Sequence, residues 1–242
     1  MYHVSRKEGE NMAGLINLVE TKIQQYPENQ VIVANELYKK VATELTEQNF
    51  YKSLERLHKT GKLVHLTKGI YYRPKIGRFG PVPISEKEIV HHYVKNNKGM
   101  LIGYRMYNDK GLTTQVSKRI EVLSTALTEE KKNIQNVSVR KAGVALTGKT
   151  VPIIEMLEIL QDYRHIEDIN KTALLAFMTS FAEKYSDQAA HSVLTKMKYK
   201  KSTIAFLAAV LDHLHVKHTL NKYLSPLSDY KIPNVEVLYE TA

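Results

Sequence analysis

An α+β protein in two parts is what this sequence predicts, and three observations predict it. Short helix-period segments are followed closely by two β-prone runs around a glycine turn. A stretch crowded with proline and glycine then interrupts the pattern. Beyond it, strand-length apolar runs give way to long helix-period segments. The chain has 242 residues, 43% of them hydrophobic, which is enough to bury the cores of two modest domains.

The elements follow in order. Leu15, Ile16, Val19 and Ile23 recur at helical spacing up to Tyr26-Pro27, predicting a first helix. Val33 to Val41, with Leu37 and Val41 four apart, predicts a short second one. Thr46 is the expected N-cap of a third helix, with Glu47, Gln48 and Asn49 in its first turn and Gly61 as its stop. Lys62 to Leu66 and Ile70 to Arg73 flank Thr67-Lys68-Gly69, which reads as a hairpin. Three helices and then a hairpin are the order of a winged helix-turn-helix, expected over residues 11–74.

Pro74, Gly77, Gly80, Pro81 and Pro83 mark residues 75–84 as a linker. Residues 85–242 are expected to form an α+β domain with a helical C-terminal part. Ser85 with Glu88 is a capping box opening a helix through about Asn96. Met100 to Tyr104, Ile120 to Ser124 and Val137 to Arg140 read as strands. Ile153 to Tyr163, Lys171 to Lys184, Gln188 to Lys196 and Thr203 to Val216 read as helices.

The formal charge of +10 favours polyanionic partners, because each Lys or Arg set on a phosphate releases a condensed counterion. Cysteine is absent, which excludes disulfides, thiolate metal sites and cysteine nucleophiles and fits a reducing compartment. Met1 to Asn11 is polar, without a signal-peptide core, and the longest apolar stretch, Ile204 to Leu211, is short for a membrane span. A cytoplasmic protein without membrane contact is the expectation.

The third helix carries the functional signal. Phe50, Leu54 and Leu57 fall on one face, while Gln48, Lys52, Arg56 and Lys59 follow the same spacing on the other. A helix laid in a major groove needs this division, one stripe holding it to its module and the other meeting bases and phosphates. Gln48 and Asn49 suit an adenine edge; Lys52 and Arg56 suit a guanine or the backbone. Alone, such a helix is ordinarily just solvated on its charged face. Here Lys68, Arg73, Lys75 and Arg78, with His65, add positive charge where a hairpin would flank the groove. The expectation is double-stranded DNA as partner, with wing and linker on phosphates; protein docking is the alternative use of such a module.

Gly143-Val144-Ala145-Leu146-Thr147-Gly148-Lys149-Thr150 satisfies a phosphate-loop pattern, and Phe206 to Asp212 imitates the magnesium-holding aspartate of such hydrolases. Context argues against nucleotide hydrolysis. Val137 to Lys141 alternates with polar residues, unlike a buried central strand, and Asp212 ends a helical run. His213, His215 and His218, and the pair His91-His92, do not share one face as metal ligands would. No nucleophile motif or carboxylate pair stands out. The expectation is no catalytic residue, no cofactor and no metal, hence no enzyme. Lys196-Met197-Lys198-Tyr199-Lys200-Lys201 is either a second basic patch or a solvated connection.

Leu54-Glu55-Arg56-Leu57, Thr60-Gly61-Lys62-Leu63, Lys68 to Pro74 and Arg78-Phe79-Gly80 resemble the antitoxins of AbiE-type (type IV) toxin–antitoxin systems. Ile102-Gly103-Tyr104 followed by Gly111-Leu112-Thr113-Thr114-Gln115-Val116 is similar to the start of that family's second domain. The resemblance implies a winged domain repressing its own operon at an operator repeat. It also implies a second domain that counters a nucleotidyltransferase-like toxin without needing a stable complex. It assigns no role to the helical tail after about Asn170.

Overall fold

The computed structural model describes residues 14 and 16–240, and the fold is mixed α+β. The expected start of the first module, at Asn11, and Leu15 lie outside the described residues. The chain divides into two compact units, one of residues up to His92 with Asn133–Gln135, the other of Tyr93–Lys132 and Asn136 onward. Among the described residues no helix is long and apolar enough to cross a membrane.

In the first unit α1 (residues 16–24) leads to β1 (Val31–Val33), α2 (Ala34–Lys39), α3 (Glu47–Lys59), β2 (Val64–Thr67) and β3 (Ile70–Tyr72). Val19 and Ile23 of α1 meet Leu37, Phe50, Leu54, Leu57 and Leu63 in one apolar core. The helical periodicity of each segment is what delivers these residues to a single face. β3 stands in the centre of a three-stranded antiparallel sheet, with β1 on one side and β2 on the other. Val31 pairs with Tyr72 and Val33 with Ile70, while Val64 pairs with Tyr72 across the hairpin. The sequence reading assigns Val33 to the second helix and has no β1. The structure instead gives Val31-Ile32-Val33 to the sheet, where three consecutive β-branched residues sit well on a pleated surface.

The expected linker is itself ordered. β4 (Lys75–Gly77) and β5 (Gly80–Val82) pair as a ribbon closed by Arg78-Phe79, and the positive φ of Gly80, 108°, suits glycine at the turn's exit. A two-stranded ribbon has two free edges, so the prolines that suggested a linker are tolerated there. α4 (Glu86–Val94) opens with the capping contact foreseen, Glu88 N donating 3.2 Å to Ser85 Oγ.

The second unit is built on a four-stranded sheet with the order β6 (Gly99–Ile102), β7 (Ile120–Ser124), β9 (Val137–Lys141), β8 (Lys131–Ile134). β6 runs antiparallel to β7, whereas β7 and β9 are parallel, Val122 lying opposite Val139. The expected strand to Tyr104 stops at Ile102 because Gly103, at φ 62°, turns the chain into α5 (Tyr104–Asp109). α6 (Thr150–Asp162), α7 (Lys171–Glu183), α8 (Asp187–Lys196) and α9 (Lys201–His213) match the four helical segments read from sequence. Asn170 and Ser186 cap α7 and α8 through their side chains. α6 packs against both α8 and α9, and Ile153, Ile154, Leu157, Leu207 and Leu211 fill the core between them. A short α10 (Val235–Glu240) follows.

Candidate nucleic-acid interface

α3 is fixed at its start by Thr46, whose hydroxyl accepts from Asn49 N at 3.4 Å, and stopped by Gly61 at φ 73°. Phe50, Ser53, Leu54 and Leu57 are buried, and the Ser53 hydroxyl is satisfied by Asn49 O at 2.9 Å. Gln48, Lys52, Arg56 and Lys59 are exposed on the remaining surface and Asn49 is half-buried. The division read from sequence therefore stands in three dimensions.

The charged groups on that surface differ in freedom. Lys59 pairs with Glu55 at 2.6 Å, four residues back along the helix. Lys52 and Arg56 hold no ion pair among the described residues and keep their charge available. Two tyrosines that sequence reasoning passed over support the helix. Tyr51 is 37% exposed, and Tyr71 on β3 packs its ring 4.9 Å from that of His65. Burial, and then Glu47, hold the Tyr51 phenol above its ordinary value; burial, and then Tyr51, do the same for Tyr71. Both remain hydrogen-bond donors at neutral pH. Tyr51 was visible as the residue three beyond Gln48 on the same helix.

The hairpin residues separate into three situations. Lys68 is exposed at the β2–β3 turn, where Ala34 N donates 2.9 Å to Gly69 O and ties the turn to the start of α2. Arg73 is turned inward: Nε donates 3.2 Å to Tyr26 O, and the guanidinium lies 3.9 Å from Glu28. These contacts brace β3 against the α1–β1 loop. Lys75 and Arg78 are exposed on the β4–β5 ribbon, which leaves β3 at the end opposite Lys68. Phe79 at the ribbon's tip is 96% exposed, with the Arg78 guanidinium 5.6 Å over its ring.

The phosphate-loop pattern has more of the right surroundings than its sequence suggests. β9 is an inner strand, and the loop after it does open α6. The polar residues that argued against burial are nonetheless drawn in. Ser138 is 1% exposed with its hydroxyl unpartnered, and Arg140 is neutralised by Glu158 of α6. Burial pushes the Glu158 carboxyl up, and Arg140 with the Tyr199 hydroxyl pulls it back only part of the way. The loop itself is nevertheless poorly arranged for an anion. Three of its amides are already engaged: Thr147 N donates to Thr150 Oγ1 at 2.9 Å, and Lys149 N and Thr150 N to Thr147 Oγ1 at 3.3 and 3.2 Å. A phosphate loop needs those N–H groups open. Phe206 to Asp212 lies inside α9, and Asp212 accepts from His218 Nε2 at 3.0 Å. Among the described residues no three His, Asp or Glu side chains are placed to hold a metal ion.

A family model matches residues 18–152, more than half of the chain. The chain belongs to DUF6088, a family of unknown function. The DUF6088 match covers the first unit from α1 onward and the sheet of the second, and it ends at the start of α6. No curated protein matches this DUF6088 chain. Among solved structures it is similar to the RV2827C protein from Mycobacterium tuberculosis, at 15% identity and a TM-score of 0.39, over 81% of this chain and 75% of that one.

Proposed function

We propose that this DUF6088 protein is a sequence-specific DNA-binding repressor, the autoregulating antitoxin of a type IV toxin–antitoxin pair acting in the cytoplasm. On this reading residues 11–74 are a winged helix-turn-helix. The order α1–β1–α2–α3–β2–β3 around one core supports it, as does the antiparallel sheet that ties the β2–β3 turn to α2. The single observation that carries the proposal is the two-faced α3, apolar inward and bearing unpaired Lys52 and Arg56 outward. Gln48 and Asn49 read base edges from the helix's N-terminal part; Lys52, Arg56, Lys59 and Lys68 hold bases or phosphates. The protein is not an enzyme in this reading, and its functional counterpart is a nucleotidyltransferase-like toxin.

Fluorescence anisotropy with duplexes tiled across the protein's own promoter tests it. A repeat should bind tightly and lose affinity steeply with salt. Lys52→Ala with Arg56→Ala should abolish that binding while the circular dichroism spectrum is kept; undiminished affinity ends the proposal. A second reading, a module that docks proteins, is favoured by one feature, the exposed Phe79 at the tip of the β4–β5 ribbon. Weak, salt-insensitive binding to every duplex would select it.

A further inference from the structure

The helical part of the second unit holds a cluster of basic groups beyond the residues that the family match covers. The end of α6, the turn Tyr163–His165, the start of α9 and the segment before α10 line a half-open cavity of about 200 Å³. Arg164, His165, Lys200 and Lys231 line it together with Ser202 and Thr203, and no carboxylate does. Among the described residues His165, Lys200 and Lys231 hold no ion pair, and Arg164 donates only to Lys231 O, at 3.4 Å. Gathering like charges without a counter-charge raises their mutual repulsion, and an anion relieves it.

A hydroxyl joins the basic groups at the same place. Thr203 lines the cavity, and its hydroxyl has no hydrogen-bond partner among the described residues, so it is free to donate there. Lys200, at the N-cap of α9, supplies no side-chain bond to the helix; Thr203 N donates to Lys200 O at 3.0 Å, and the Lys201 and Ser202 amides have no partner among the described residues. Ser202 adds a second hydroxyl at the same end.

We infer that this cavity binds a phosphate-class oxyanion, held by Arg164, Lys200 and Lys231 and by the Thr203 hydroxyl. Its volume has room for a phosphoryl or pyrophosphoryl group. The Tyr163 and Phe206 rings, 5.5 Å apart and edge to face, close the apolar side. Lys200 comes from the Lys196-to-Lys201 run, whose role the sequence left open. The phosphate can be free or part of a nucleic-acid backbone, and the chemistry of the cavity serves both.

The test is calorimetric titration of the full chain with inorganic phosphate and with pyrophosphate at constant ionic strength. Saturable binding is expected, weakened about tenfold or more in Arg164→Gln with Lys231→Gln and again in Thr203→Val. The first two positions are exposed, so that variant should melt like the parent. No saturable binding, or equal affinity in both variants, overturns the site. An unrelated DNA duplex distinguishes the sources, and either result supports the site: displaced phosphate identifies the backbone, and phosphate retained beside duplex identifies a free ligand. Lys52→Ala with Arg56→Ala should leave phosphate binding unchanged, which separates this site from α3.

Discussion

The Tyr51 hydroxyl on α3 donates a 3.1 Å hydrogen bond to the side-chain oxygen of Asn35 on α2. This bond fastens the charged helix to its neighbour at the surface, in addition to the buried Phe50, Leu54 and Leu57. Tyr51→Phe should cost about 0.5–1 kcal/mol in urea denaturation, the lower range for one hydrogen bond because both groups are exposed. DNA affinity should fall less than in the Lys52/Arg56 double variant. Unaltered stability would show that the bond adds nothing.

If α3 binds DNA as proposed, salt dependence should separate Lys52 and Arg56 from Arg73. Removing Lys52 and Arg56 together should lower the slope of log K against log salt by about 1–2. Arg73→Gln should barely alter that slope but should lower the melting temperature, since its guanidinium braces the Tyr26 carbonyl. Equal slope changes in the two variants would return Arg73 to the interface.

Gly143 is a packing glycine. A Cβ there would lie 2.4 Å from the Lys196 carbonyl oxygen, a backbone atom that cannot step aside cheaply. Gly143→Ala should destabilise the protein by about 1–3 kcal/mol, as overpacking does. Nucleotide should not modulate that loss. A stabilisation by ATP that disappears in Lys149→Ala would revive the hydrolase reading.

Arg140 and Glu158 form an ion pair whose carboxylate side chain is 5% exposed. Arg140→Met strands that carboxylate and should cost roughly 2–4 kcal/mol at pH 7, discounted for the partial exposure of the arginine. Burial already holds the Glu158 carboxyl above its ordinary value, and loss of Arg140 raises it further. A group raised on folding favours the native state at low pH and loses that contribution as pH climbs through its folded value. The variant should therefore lie closest to the parent near pH 4–5 and fall away toward pH 8. A pH-independent gap would contradict this.

Asp187 behaves in the opposite sense. Burial alone would raise its carboxyl, but Thr219 through its hydroxyl and amide, then Tyr185 and Lys222, hold it below the ordinary value. Its contribution is complete above about pH 4 and disappears as pH falls through the lower folded value. Asp187→Asn should be less stable than the parent by roughly 1–2 kcal/mol at pH 6, converging with it in stronger acid. Parallel acid-denaturation curves for the two proteins would rule that out.

What the sequence made legible was whatever local periodicity and capping control. Thr46, Gly61 and Ser85 mark helix boundaries because each satisfies or ends a turn of backbone on its own. The faces of α3 were readable for the same reason. Features set by distant partners were not. β1 is a strand because Tyr71 and its neighbours lie beside it, and β9 is interior because Glu158, on a later helix, neutralises Arg140. Arg73 looked like any basic wing residue until the Tyr26 carbonyl was placed against it. The cavity around Thr203 draws on segments from Leu160 to Pro233, a convergence that no local motif announces.

The parallel pairing of β7 with β9 has a kinetic consequence. Ile120 lies opposite Val137, and no tight turn can join two strands that run the same way. Loop entropy must be lost before the first of those ladder bonds forms, whereas α6 to α9 gain theirs from near neighbours. Refolding of the second unit should thus be gated by sheet closure, with helical signal returning ahead of it.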